Sequence, residues 1–114
     1  MTHRIASAAL LALALAFPLT ALAQEGSVTI SAPADGAKLQ AAADNRVNYE
    51  IIPGPKGDHS HLYVDGKEIA VLRELKGSAP LKALAAGPHE VCVKVVNKNH
   101  TPIGIEKCVK VTVE

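Results

Sequence analysis

Apolar residues along this chain recur in two different patterns. From residue 5 to residue 17 they form an unbroken Ala- and Leu-rich run. After residue 26 they come in short stretches of Val and Ile, alternating with polar residues and separated by Gly, Pro, Asn and Asp. Period-two alternation over four to eight residues is the signature of strands with one buried face. Residues 46–52 show it most cleanly, with Val47, Tyr49 and Ile51 on one side. Residues 28–31 read as a first strand, followed by the turn Ala32-Pro33-Ala34-Asp35-Gly36. The loop Pro53-Gly54-Pro55-Lys56-Gly57-Asp58 stops regular structure. Residues 61–64 and 67–72 flank Asp65-Gly66, a two-residue hairpin signal. Residues 81–84 read as a short strand, and residues 89–97 and 103–114 close the chain. No amphipathic helix of useful length appears.

The first run has a different meaning. Thr2-His3-Arg4 gives a basic start, Pro18 breaks the apolar stretch, and Ala21-Leu22-Ala23 offers small residues before Gln24. That is the layout of a cleavable export signal over residues 1–23. The run is too short and Ala-rich for a membrane span, which needs about 20 residues, and no Cys follows to carry a lipid. The expected destination is the periplasm or the outside of the cell, with no stable membrane insertion after cleavage. The remaining residues, 24–114, are enough for one domain.

Pairing arithmetic sets the registers. Around Asp65-Gly66 it places Leu62 opposite Ile69 on the core side, with His61 opposite Ala70 and Tyr63 opposite Glu68 on the other. In the last hairpin it sets Cys92 opposite Cys108, Lys94 opposite Glu106, Val91 opposite Val109 and Val95 opposite Ile105. The same register turns Lys107 inward beside Val93, which calls for a bulge or an edge position. Cys92 and Cys108 are sixteen positions apart and face an oxidising compartment, where a disulfide is the default. A pair of thiolate metal ligands is the alternative.

About seven short strands with frequent turn signals make an all-β, immunoglobulin-like two-sheet sandwich the expected fold. The segment Leu84-Ala85-Ala86-Gly87-Pro88-His89-Glu90-Val91-Cys92-Val93 resembles the "L-x-x-G-x-(H/Y)-x-V-x-V" stretch of bacterial immunoglobulin-like and fibronectin-like domains. Ala32-Pro33-Ala34-Asp35-Gly36-Ala37 resembles the "P-x-(D/N)-G-A" that follows their first strand. The chain as a whole is similar to a group of uncharacterised bacterial periplasmic proteins with an H-x-H pair before V-D-G, then G-x-H and a late His. The resemblance implies a sandwich and assigns no activity.

Composition removes several functions. Without residues 1–23 the basic and acidic residues balance at 11 each, since Arg4 is the one charge among the 12 Lys and Arg that lies in the leader. Neutrality argues against a nucleic-acid partner. Two tyrosines are then the only aromatics, too few for a stacking groove. Methionine is absent from residues 24–114, which disfavours a Cu(I) site.

Four histidines remain: His59, His61, His89 and His100. A strand places His59 and His61 on one face, away from Leu62 and Val64. Asp58 beside them offers an oxygen, as ligand or as acceptor behind a ring. If the strand starting at His59 runs antiparallel to the one starting at His89, its start lies near the turn carrying His100. His89 then falls roughly 20 Å away, at about 3.3 Å per residue, and is expected to bond backbone at a corner. Two readings of the His59, His61 and His100 group stay open: imidazoles that bond turn backbone and tie loops together, or ligands of Cu(II) or Zn(II). Ser60 points toward the core by parity, no catalytic motif is present, and Asp65 and Glu68 read as turn and solvent-face residues. The expected role is a structural or interaction module, with another envelope protein as partner, or alternatively a divalent-metal-binding module. Catalysis is not expected.

Overall fold

The computed structural model describes residues 26–114. The expected export signal over residues 1–23 and the domain start at Gln24 lie outside the described residues. Eight strands form the described part: β1 (Ser27–Ala32), β2 (Ala37–Leu39), β3 (Arg46–Ile52), β4 (His59–Val64), β5 (Lys67–Leu72), β6 (Lys76–Pro80), β7 (Gly87–Val96) and β8 (Pro102–Val113). They make an all-β sandwich. One sheet has the order β1-β3-β6 and the other β2-β8-β7-β4-β5.

The core follows from strand alternation. Val47, Tyr49 and Ile51 turn inward from β3, meeting Leu62 and Val64 of β4, Val91, Val93 and Val95 of β7, and Val109 and Val111 of β8. Leu62, Val91, Val93 and Val95 are fully enclosed. With no large aromatic other than Tyr49 in this cluster, β-branched side chains fill the space between sheets, where their restricted χ1 costs little.

Three registers differ from the sequence expectation. In the β4–β5 hairpin Tyr63 does face Glu68, but Leu62 pairs with Ala70 and His61 with Val71, because Ile69 is an extra residue bulged out of β5. The bulge keeps Ala70 and Leu72 on the inner face and leaves Ile69 43% exposed. In the β7–β8 hairpin Cys92 faces Cys108, Val91 faces Val109 and Lys94 faces Glu106 as expected. Val95, however, does not pair with Ile105: between Lys94↔Glu106 and Val96↔Pro102, residues 103–105 of β8 stand against Val95 alone. Gly104, at φ 92°, absorbs the irregularity. Val93 pairs with Lys107 without a bulge at that point, and Lys107 is exposed, so the sandwich does not close over it.

Two further differences concern short strands. The strand expected at residues 81–84 is instead β6, immediately before it, and Leu81 caps it as a buried core residue. β2 adds an eighth strand, pairing parallel to β8 through Ala37↔Val111 and Leu39↔Val113. Cys92 and Cys108 are joined in a disulfide with a Cα–Cα separation of 4.0 Å. The bond ties β7 to β8 on the face away from the core.

A candidate metal centre at one end of the sandwich

β4 and β7 run antiparallel with His59 opposite Val96 and His61 opposite Lys94. The start of β4 therefore meets the end of β7, where the chain turns toward β8 and carries His100. Forty-one residues separate His59 from His100 in sequence, yet their rings are neighbours.

Three ring nitrogens converge. His59 Nε2 lies 3.1 Å from His61 Nε2 and 3.2 Å from His100 Nδ1, and His61 Nε2 lies 3.3 Å from His100 Nδ1. His59 and His61 are buried, at 7% and 2% exposure, although they point away from the hydrophobic core. His100 is exposed. The rings of His61 and His100 are stacked, with centroids 5.4 Å apart, and His59 meets His100 edge-on.

Groups on the far side of the rings fix the tautomers. His59 Nδ1–H donates to Asp58 Oδ2 at 2.8 Å. His61 Nδ1–H is shared between Glu68 Oε1 at 3.3 Å and the Tyr63 hydroxyl oxygen at 3.4 Å. Each ring thus keeps its proton on Nδ1 and turns an Nε2 lone pair toward the centre. The bond from His59 holds the Asp58 carboxyl below its usual range. Burial is the main force pushing the His61 pKa down, opposed by Glu68 and reinforced by its imidazole neighbours and Arg73.

The third ring is set by its turn. His100 has φ 64°, in the left-handed region that few non-glycine residues occupy. Asn97 fixes that conformation: its Oδ1 accepts from Asn99 N at 2.8 Å and Thr101 N at 3.0 Å. Its backbone C=O accepts from His100 N at 2.9 Å, and its own N–H donates to Thr101 O at 3.0 Å.

Neutral rings cannot satisfy this arrangement by themselves. Three close N···N contacts each need a proton between them, and the protons of His59 and His61 are already directed outward. The 3.1 Å contact between their Nε2 atoms sets two lone pairs together with no hydrogen to share. A cation at the centre would satisfy all three at once, taking one lone pair from each ring.

Of the residues singled out from sequence, His59, His61 and His100 meet at this point, whereas Asp58 lies behind His59, on the Nδ1 side. It is an acceptor to the ring and not part of the converging set. Glu68 and Tyr63 were missed as members of the site. Their alternation with His61 across the β4–β5 pair was the available signal. His89 stands at the other end of β7. Its Nδ1–H donates to Asp65 Oδ2 at 2.6 Å and its Nε2–H to the Ala85 carbonyl at 2.7 Å, while Asp65 Oδ1 accepts from Glu90 N at 2.8 Å. Asp65, at φ 53°, is therefore more than a turn residue. Glu90 lies close to the Cys92 and Cys108 sulfurs, but those are bonded to each other and are not free thiolates.

The chain matches no protein-family model and no curated protein. Among solved structures it is similar to the fibronectin(III)-like modules of Clostridium thermocellum CbhA, with TM-score 0.63 and 20% identity over 75% of this chain and 93% of that one. It is also similar to an engineered protein, with TM-score 0.54 and 20% identity over 78% of this chain and 20% of that one. The fold is thus that of the immunoglobulin-like, fibronectin(III)-like sandwiches.

Proposed function

We propose that this chain is an exported β-sandwich module that binds a divalent transition metal, Cu(II) or Zn(II), through His59, His61 and His100. The observation that carries the reading is the triangle of ring nitrogens with edges of 3.1–3.3 Å, two of whose members have carboxylates behind them. Carboxylate–histidine–metal arrays have this build. A neutral nitrogen donor set without thioether or thiolate favours Cu(II) or Zn(II) over Cu(I). The disulfide and the signal-like leader support a setting outside the cytoplasm.

Thermal unfolding with and without micromolar Cu(II) or Zn(II) tests this. Ligand at a hundredfold excess over Kd adds about 2.7 kcal/mol to folding stability, and the melting temperature rises accordingly. His100→Ala, at an exposed position, and His61→Ala remove the rise, whereas His89→Ala keeps it. No rise with either metal rejects the proposal.

A second reading has its own support. β5 is an edge strand that exposes Ile69 and Val71, at 43% and 44%, and an edge with apolar side chains suits pairing with another envelope protein. Crosslinking from residue 71 in periplasmic extract, unaffected by chelator, is the result expected of such an interaction module.

A further inference from the structure

The donor set of the centre ends at three imidazole nitrogens. Among the described residues, the ligand atoms of His59, His61 and His100 form a group that includes no carboxylate or sulfur. The nearest carboxylates are spent elsewhere. Asp58 Oδ2 and Glu68 Oε1 sit 2.8 and 3.3 Å from the Nδ1 atoms of His59 and His61. An imidazole ring lies between each of them and the centre. Neither can swing onto the ion without giving up the bond that orients its ring.

Three nitrogens with near-equal edges are fewer donors than a tetrahedral ion takes, and no fourth His, Cys, Asp or Glu among the described residues joins them. A divalent ion held by three neutral donors keeps its full charge, and tetrahedral Zn(II) or Cu(II) takes at least one more ligand. His100, which completes the triangle, is exposed while the other two are buried, so the triangle has its third corner at the surface.

From this we infer that the metal carries one exchangeable position, filled by water or by a small monodentate anion from solution. This deepens the metal-binding reading and rests on it. The centre is an open one, built to admit a ligand, and unlike a closed structural site it does not saturate its ion with protein donors.

Co(II) with azide is the probe. Co(II) is added to the protein to stoichiometry, the visible bands are recorded, and azide is then titrated while protein-bound Co(II) is followed by ultrafiltration. The expected result is a saturable shift and intensification of the bands with Co(II) retained, and no such response in His100→Ala. Bands that stay fixed through the titration, with Co(II) still bound, overturn the inference and leave the metal-binding reading standing. Release of Co(II) by azide also overturns it, because an open position accepts the anion without losing the ion. Failure of the protein to take up Co(II), Zn(II) or Cu(II) at all removes both.

Discussion

Asn97 holds His100 in place through the backbone of its turn. The His100 N–H donates to the Asn97 carbonyl, and the Asn97 side chain collects the N–H groups of residues 99 and 101 on either side. The left-handed backbone at His100 is thereby settled before any ion arrives. Removing two hydrogen bonds worth about 1 kcal/mol each lets the turn sample other conformers, and the ion must then bear the ordering. Asn97→Ala is expected to weaken metal binding by about tenfold, equivalent to about 1.4 kcal/mol. Asn97→Asp, whose carboxylate accepts the same two N–H groups, restores it. Calorimetric titration of the three proteins with Zn(II) is the check.

The carboxylates behind the rings have a different effect. Asp58→Ala and Glu68→Gln leave all three nitrogens in the protein but free the His59 and His61 rings to change tautomer and rotate. Loss of such outer partners typically costs about 10–100-fold in metal affinity. Without metal, both variants are expected to melt within several degrees of the parent, since each loses one side-chain hydrogen bond worth about 1 kcal/mol. Affinity lost with the metal-free melting point largely preserved distinguishes this role from a structural one.

At the opposite end, His89 donates through both nitrogens, so its bonded form is the imidazolium. The hydrogen bond to Asp65 is the main cause raising its pKa, followed by the Ala85 carbonyl, and the bond from His89 followed by that from Glu90 N lowers the pKa of Asp65. A raised histidine contributes its stability in full below its unfolded value of about 6.5 and loses it as pH rises through the higher folded value. A lowered aspartate contributes above its unfolded value of about 3.9 and loses it as pH falls through the lower folded value. The pair therefore helps most between about pH 4 and 6.5. The difference in melting temperature between the parent and His89→Ala should be larger at pH 5.5 than at pH 9, and an equal difference at both would contradict the assignment.

The disulfide closes a loop of 16 residues between β7 and β8. In the chain-entropy model a loop of that size is worth roughly 3 kcal/mol. For a small core made of Val, Ile and Leu that is a large share of net stability. Cys92→Ala/Cys108→Ala is expected to lower the urea midpoint by an amount corresponding to that figure. His100 lies inside the loop that the bond closes, but its turn is held by Asn97 and by the β7–β8 pairing, so Zn(II) binding to the folded double variant should persist.

Much of this was legible in the chain because a strand has a period of two. The alternation of Val47, Tyr49 and Ile51 located β3, and the same parity put His59 and His61 together and away from Leu62. The paired cysteines then set most of the last hairpin. What escaped were features with no local signature. Ile69 is a good strand former, and nothing around it announces a bulge; the inward demand of Ala70 and Leu72 imposes it. β2 pairs parallel through only three residues, and β6 contains Gly77, Ser78 and Pro80, poor strand formers held in place by β3. Glu68 looked like a solvent-face carboxylate because its importance depends on which ring stands across from it. Asp65 read as a turn residue because its partner His89 lies 24 positions downstream.

Val113 pairs with Gly87, at the same tip as His89, while His59 pairs with Val96 at the other. Whatever is joined after Glu114 therefore hangs from the pole farthest from the three imidazoles. A tag, a tether to a bead or a fused neighbour attached there leaves the ion-holding pole facing outward and unobstructed.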